Sequence, residues 1–465
     1  MNPEFRRLLL TEFQGYRLIA LPVSLGAIFG LTYYLNDFAF DSGSSFVATA
    51  GYFALVFIWG TRQAADSVLQ EINHKTWVPQ RMSSMSAWGM GWAKLAGSTA
   101  FTWIGGFICL GVFAASNTEW WSTQRLIMSV ALYAGTGLLA QTICFLVSLS
   151  AIQKRREFGR VHVVSYQFLG MICALPPLYI GLSVTGGEGI LDLITWHGEY
   201  LSLPQFMAIF TAAFIGWGLA GIWALMRAEL QEPVGPWLWA AFVVFAMVFF
   251  GGLRSLPVGP NTPIAFYDFP SIPTMVLIAG VFLIYLICVT EGKNRIQLRR
   301  LDGAISGRQW RTAWMTMPRS IITVPLVGLG VWIAASNFSD YTVLRGQDLH
   351  LIYGATILFA LRDLGFIYFI CLGRRDGRGE GIALIALALL YILVPETIGV
   401  ETLDQVIPLF SPYGENPSWW TVIAPMLEIG IIGALLARRW RRVIRGPVDA
   451  GDSSPPATGN ATEQT

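Results

Sequence analysis

The residues of this chain best placed to do chemistry are charges that lie where charge is costly. Arg362-Asp363 falls near the middle of a long apolar run, Glu428 lies mid-way along another, and Glu396 follows Pro395 near the end of a third. Gln141 occupies a similar depth in an earlier run. A charge at the centre of a membrane-spanning helix costs about 2.5–3.5 kcal/mol on insertion scales. Such groups either line a polar path for a solute or pair with one another to hold helices together. Pairing is the simpler reading, because a single pair makes a poor solute site.

Other chemistry has little support. The four histidines (His74, His162, His197, His350) lie at loops or run ends and do not cluster, so neither a Ser-His-Asp arrangement nor a metal-hydrolase site is expected. The five cysteines (Cys109, Cys144, Cys173, Cys288, Cys371) sit in apolar runs without metal-ligand or disulfide-framework spacing and read as small hydrophobes. No GxxxxGK[ST] phosphate loop occurs, so ATP cannot bind by that route. No cofactor is expected in the chain, and an enzymatic role is not. No basic stripe with interleaved aromatics points to nucleic acid.

The most informative polar stretch lies between apolar runs. It reads Glu71-Ile72-Asn73-His74-Lys75-Thr76-Trp77-Val78-Pro79-Gln80-Arg81-Met82, and Trp88 to Lys94 follows. A second stretch, Asn294 to Met317, contains Arg299-Arg300-Leu301-Asp302, Trp310, Arg311 and Trp314. Mixed charge and aromatics on short helices suit anchoring at lipid headgroups, and they suit docking onto a soluble partner equally well.

These residues need helices in lipid to position them. Of 465 residues 54% are hydrophobic and 13% charged, at a mean hydropathy of +0.54, whereas soluble domains carry about 25% charged residues. Runs long enough to span a bilayer lie near 16–36, 45–61, 93–115, 126–151, 164–184, 207–226, 236–253, 271–290, 319–335, 350–372, 381–399 and 419–437. The expected fold is all-α, a polytopic membrane protein with about twelve transmembrane helices. Continuous apolar runs, not alternating ten-residue segments, exclude a β-barrel.

Lys and Arg sort with these runs: 27 of the 31 fall on one side of the expected topology. The positive-inside rule then places both termini in the cytoplasm of a multi-pass protein of the plasma (inner) membrane. Residues 1–15 carry Phe5, Leu8, Leu9 and Phe13 on one helical face, which predicts an amphipathic interfacial helix and not a cleaved signal. The Pro/Gly/Ser/Thr-rich tail, 446–465, is expected to be disordered.

The halves of the chain match at a shift of 219 residues. Arg81-Met82 lies over Arg300-Leu301, Leu110-Gly111-Val112 over Leu329-Gly330-Val331, Arg155-Arg156-Glu157 over Arg374-Arg375-Asp376, and Pro176 over Pro395. A 6+6 internal repeat follows, with one six-span half over 16–226 and a second over 227–445. A parallel duplication of this kind places a pathway between its halves.

With these features the chain resembles the membrane subunits of ABC (ATP-binding-cassette) transporters, specifically the type-2, exporter-like permeases. The resemblance rests on the amphipathic start, on the Glu71-x5-Trp77-x3-Arg81 pattern ending at Gly91-Trp92-Ala93-Lys94, and on segments 185–206 and 396–418, where that family has re-entrant helices. It implies a permease that forms a translocation pathway, exports an unknown substrate, and takes energy from a separate ABC ATPase subunit that binds the ATP. Glu71, Lys75, Trp77, Arg81, Arg299, Arg300, Asp302 and Trp310 would then be ATPase-coupling residues. The alternatives are an ion-coupled twelve-span secondary transporter and an integral-membrane lipid-modifying enzyme.

Overall fold

The computed structural model describes residues 2–13, 15–74, 76–119, 121–154, 160–186, 193–254, 271–293, 295–337, 349–373, 379–393 and 419–445. The expected tail, Lys75, Glu396 and the segment 396–418 lie outside the described residues.

The helices in chain order are α1 (Pro3–Glu12), α2 (Gly15–Leu35), α3 (Ser42–Tyr52), a π-helical segment (Phe53–Gly60), α4 (Thr61–Asn73), α5 (Trp77–Arg81), α6 (Ala87–Asn117), α7 (Thr123–Lys154), α8 (Arg160–Cys173), α9 (Leu175–Gly186) and α10 (Leu203–Glu229). Then come α11 (Trp237–Gly251), α12 (Ile272–Thr290), α13 (Arg295–Ser306), α14 (Trp310–Thr316), α15 (Arg319–Asn337), α16 (Leu349–Gly373), α17 (Gly379–Ala388) with a π turn to Leu393, and α18 (Trp420–Val443). The chain is an all-α polytopic membrane protein apart from one small sheet. Among the described residues nine helices are long and apolar enough to cross a membrane, or ten if the α8–α9 pair, bent by 50° at Ala174, is one crossing. The runs expected at 236–253 and 381–399 form shorter apolar helices, Trp237–Gly251 and Gly379–Tyr391. Helices form because in lipid every backbone N–H and C=O must be satisfied within its own segment.

The chain divides into two compact units. Unit 1 is Met1–Gly280 with Thr290–Gly292 and Leu329–Asp340, and unit 2 is Val281–Val289, Lys293–Gly328 and Tyr341–Thr465.

In unit 1, α3, the π segment and α4 run on as a single apolar span, Ser42–Ile72. A π turn leaves carbonyls without their usual partners, and polar side chains take them up, two from neighbouring helices and Thr61 from the next turn of the same span. Gln141 Nε2 donates to Val56 O (3.0 Å), Gln167 Nε2 to Ile58 O (2.8 Å), and Thr61 Oγ1 to Phe57 O (2.5 Å). Glycine lets helices approach here: a Cβ added at Gly106 would lie 2.3 Å from Val56 Cγ2. Around this contact Tyr52, Val56, Phe57, Phe113, Leu139 and Ala140 form a dry core.

The stretch from Leu193 to Ser202, where the family resemblance implies a re-entrant helix, is instead an antiparallel hairpin. Strand β1 (Leu193–Trp196) pairs with β2 (Glu199–Ser202), Leu193 opposite Ser202 and Trp196 opposite Glu199. His197 and Gly198 both have positive φ (49° and 88°), as a two-residue primed turn requires. A third strand, β3 (Leu253–Arg254), adds to β1 in the order β2-β1-β3. Trp196 pins this sheet to the end of α11, donating from Nε1 to Phe249 O (2.9 Å).

Three of the five free cysteines (Cys109, Cys144, Cys288) are buried between helices as expected, Cys371 is half-buried, and Cys173 is exposed.

Candidate functional site

Lys94 stands two turns inside α6, in a helix whose residues are otherwise mostly apolar, and its side chain is fully buried. An ammonium has three N–H groups and no acceptor, so burial is tolerable only if each finds an oxygen. Here each does. Lys94 Nζ donates to Glu4 Oε1 (3.1 Å), to Gln80 Oε1 (2.8 Å) and to Glu71 Oε2, and it lies 5.2 Å from the Trp77 ring centre. Arg7 closes the set, donating to Glu4 Oε1 (2.7 Å) and Glu71 Oε1 (2.5 Å). Two cations face two carboxylates, so the cluster is neutral as well as satisfied.

This cluster fastens α1, α4 and α5 to the base of α6. Helix α1 begins on Asn2, whose side chain accepts from Glu4 N (3.0 Å) and donates to Gly89 O (2.7 Å). Its apolar face packs on α6: Phe5 stacks on Trp92, Leu8 fills the gap at Gly97, and Phe13 meets the edge of Phe101. The amphipathic start is therefore a helix as expected, but its apolar residues meet α6, and its Glu4 is buried. Burial alone raises the Glu4 pKa, but the hydrogen bond from Arg7 and the charge of Lys94 outweigh it and hold the carboxyl below its ordinary 4.5.

Of the residues named as coupling positions in the first half, Glu71 and Trp77 are thus brought together around Lys94, and Arg81 closes α5, half-buried. Sequence reading missed Glu4, Arg7 and Gln80 as members of the cluster. The available signal was a lysine seven residues inside a helix that is otherwise apolar, which demands anionic partners from somewhere. Around the cluster Val78, Met82 and Trp88 leave large apolar surface exposed.

The second stretch folds as α13 and α14 in unit 2, with Leu298, Leu301, Ala304 and Ala313 buried. Two of its named residues, Arg299 and Asp302, bond to the end of α18. Arg299 Nη2 donates to Val443 O (3.0 Å) at the end of α18. Asp302 accepts from Arg445 (2.8 Å to Oδ1) and from Trp440 Nε1 (3.1 Å). The Arg445 hydrogen bond is the chief reason the Asp302 pKa lies below its ordinary 3.8. Arg300 and Trp310 are exposed.

Unit 2 also holds the intramembrane charges. Arg362 and Asp363 on α16 are buried. Arg362 donates from Nε to Asp363 Oδ1 (2.9 Å), from Nη1 to Glu428 Oε2 on α18 (2.7 Å), and from Nη2 to Tyr391 Oη (2.6 Å). Asp363 Oδ2 accepts from Tyr285 (2.5 Å) and Tyr391 (2.7 Å). The Glu428 side chain remains 39% exposed. Gln141, which belongs to unit 1, serves the π segment and accepts from Trp103 Nε1 (2.8 Å). Nearby in unit 2, the buried Lys293 pairs with Glu380 (3.2 Å).

Among the described residues no group of three or more His, Cys, Asp or Glu side chains is placed to hold a metal ion. Comparison with known protein families, with curated proteins and with solved structures returns no match.

Proposed function

We propose that this chain is the membrane-spanning permease subunit of an ABC transporter, coupling to a separate ATPase and serving export. In this reading twelve spans form two fused six-span halves. The second half includes the short helices at Trp237–Gly251 and Gly379–Tyr391. Both termini, with Lys94 and its cluster, face the cytoplasm of a plasma (inner) membrane. ATP is bound and hydrolysed by the partner, whose closure pulls on α5 and on the α13–α14 pair and so reorients the spans about a pathway.

The observation that carries this reading is the Lys94 cluster. A soluble partner gripping the exposed Val78 of α5 and Met82 just after it would pull on Gln80 and Trp77, which sit against a lysine built into the base of α6. A well-satisfied network of charge-assisted hydrogen bonds is stiff, so displacement of α5 passes to the span instead of being lost in a loose loop.

The test is to purify the chain with the ATPase encoded beside it and measure hydrolysis in proteoliposomes. Val78→Asp and Met82→Asp place charge on the gripping surface without touching the cluster. Both should lower transport-coupled hydrolysis at least tenfold and release the ATPase from the complex; unchanged hydrolysis and binding in both would overturn the reading.

The buried Arg362–Asp363 pair with its half-exposed Glu428 favours a second reading, an ion-coupled secondary transporter. That reading requires uptake or export in vesicles without nucleotide, driven by an imposed ion gradient. The permease reading requires none.

A further inference from the structure

Unit 1 carries a half-open cavity of about 780 Å³, within the range of roughly 300–1,000 Å³ typical of small-molecule sites. It opens where α3 begins and α6 ends. Asn117, one of its lining residues, lies about 34 Å along α6 from Lys94 at 1.5 Å per residue. The cavity sits beside the change from α-helix to π-helix at Phe53, and π turns recur at functional sites.

Its lining has two chemical zones. One wall is aromatic, with Tyr52, Phe53, Trp121 and Tyr133, and Phe46 projects at the mouth. The rim is polar, with Asp41, Ser45 and Asn117, where Asn117 Nδ2 donates to Ser45 Oγ (2.9 Å). Asp41 is the N-cap of α3, and its three side-chain hydrogen bonds all fall on one oxygen. Oδ1 accepts from Asn36 Nδ2 (2.6 Å), Gly43 N (2.9 Å) and Ser44 N (3.1 Å). No hydrogen bond among the described residues reaches its second oxygen, and Asp41 lines the cavity.

Charge near the mouth favours a cation. The segments joining α2 to α3 and α6 to α7 carry Asp37, Asp41 and Glu119. One base, Arg125, stands against these three acids; its Nε and Nη2 donate to Val184 O (3.1 and 2.5 Å) and its guanidinium lies 4.2 Å from the Trp121 ring centre, so the local balance stays negative. Ring faces attract cations, and they do so more strongly when water is excluded. We propose that this cavity is a binding site for hydrophobic organic cations, which place their charge at Asp41 and their apolar body against the aromatic wall. The inference does not depend on an ATPase, since binding is measured on the chain alone.

The probe is radiolabelled tetraphenylphosphonium, and the anion tetraphenylborate, of similar size and shape, is the control. Both are titrated against the full chain in phosphatidylcholine nanodiscs, with empty nanodiscs subtracted. The cation should bind saturably and the anion should not. Asp41→Asn keeps the capping oxygen and removes the charge, so cation affinity should fall about tenfold, between the values for a charge pair in water and near a protein surface. Ala50→Trp fills the cavity from an exposed position and should abolish binding. Should that variant fail to give monodisperse protein, Phe53→Ala removes part of the wall and should weaken the cation severalfold. Equal saturable binding of both ions, or unchanged cation binding in Asp41→Asn and in the wall variants, overturns the proposal.

Discussion

Lys94 and Arg362 are both cations almost free of solvent on long apolar helices, and each faces two carboxylates. They solve that shared problem differently. Lys94 draws Glu4 and Glu71 from other elements, adds a neutral acceptor in Gln80, and has the second carboxylate charge balanced by Arg7. The result is neutral, with the Glu4 and Glu71 side chains only 5% and 10% exposed. Arg362 takes one carboxylate from its own neighbour, Asp363, and the other from α18, where Glu428 is 39% exposed. Two tyrosines donate to Asp363, and among the described residues no second cation is bonded to Glu428. The first cluster is closed and electrically balanced; the second is negative and open at one edge. A closed cluster fastens elements to each other. An open one can exchange a partner without leaving a buried charge bare.

The sharpest way to break this contrast is to remove each cation in turn. Lys94→Met leaves Glu4 and Glu71 buried with only the half-exposed Arg7, and should cost about 3–5 kcal/mol, the range for breaking a buried pair. Arg362→Met should cost less, about 2–3 kcal/mol, because Asp363 keeps both tyrosine donors, whereas Glu4 and Glu71 keep only one half-exposed arginine. Denaturation in matched detergent would rank the two, and an equal or reversed order would dissolve the distinction between closed and open clusters.

A gentler perturbation is pH. A carboxyl whose folded pKa lies below its unfolded value stabilises the fold above the unfolded value, and that contribution is lost as pH falls through the folded one. Glu4 is such a group. The docking of α1 should therefore hold above about pH 4.5 and loosen progressively in more acid solution. Hydrogen exchange of the α1 amides would follow this, and Glu4→Gln should show the loosened pattern already at neutral pH.

The smallest effect is expected at Asp302–Arg445, an ion pair at the surface of unit 2. The sign is the same as for Glu4, since the Asp302 pKa is also lowered, but surface pairs are screened by salt. Molar salt should loosen the contact of α13 with α18, read by hydrogen exchange at Val443 and Ile444, and leave α1 in place. If salt freed α1 as readily, the Lys94 cluster would be no more closed than this surface pair.

Legibility followed the same divide. Arg362, Asp363 and Glu428 stood out in sequence because a charge in an apolar run is conspicuous whatever surrounds it, and their pairing was the expected outcome. Glu4, Arg7 and Gln80 did not stand out, because polar residues at the edge of a membrane protein are ordinary. The hairpin from Leu193 to Ser202 was missed because its ten residues carry no clean alternation, and it depends on β3 some fifty residues onward. The π segment was hidden for a related reason: Phe53–Gly60 reads as ordinary apolar helix, and its register is supported by Gln141 and Gln167 from other helices.

Composition and hydropathy by themselves determined the solvent of this protein, its helical class, most of the helices long and apolar enough to cross a membrane, and the charges that would need partners there. These are properties of single segments, fixed by the cost of exposing polar backbone and bare charge to hydrocarbon. Which partner each charge found, whether α1 met lipid or α6, and where a cavity with an acidic rim would open were decided only by tertiary structure. Those outcomes depend on side chains many residues apart arriving within 3 Å of one another, and no local pattern encodes that arrival.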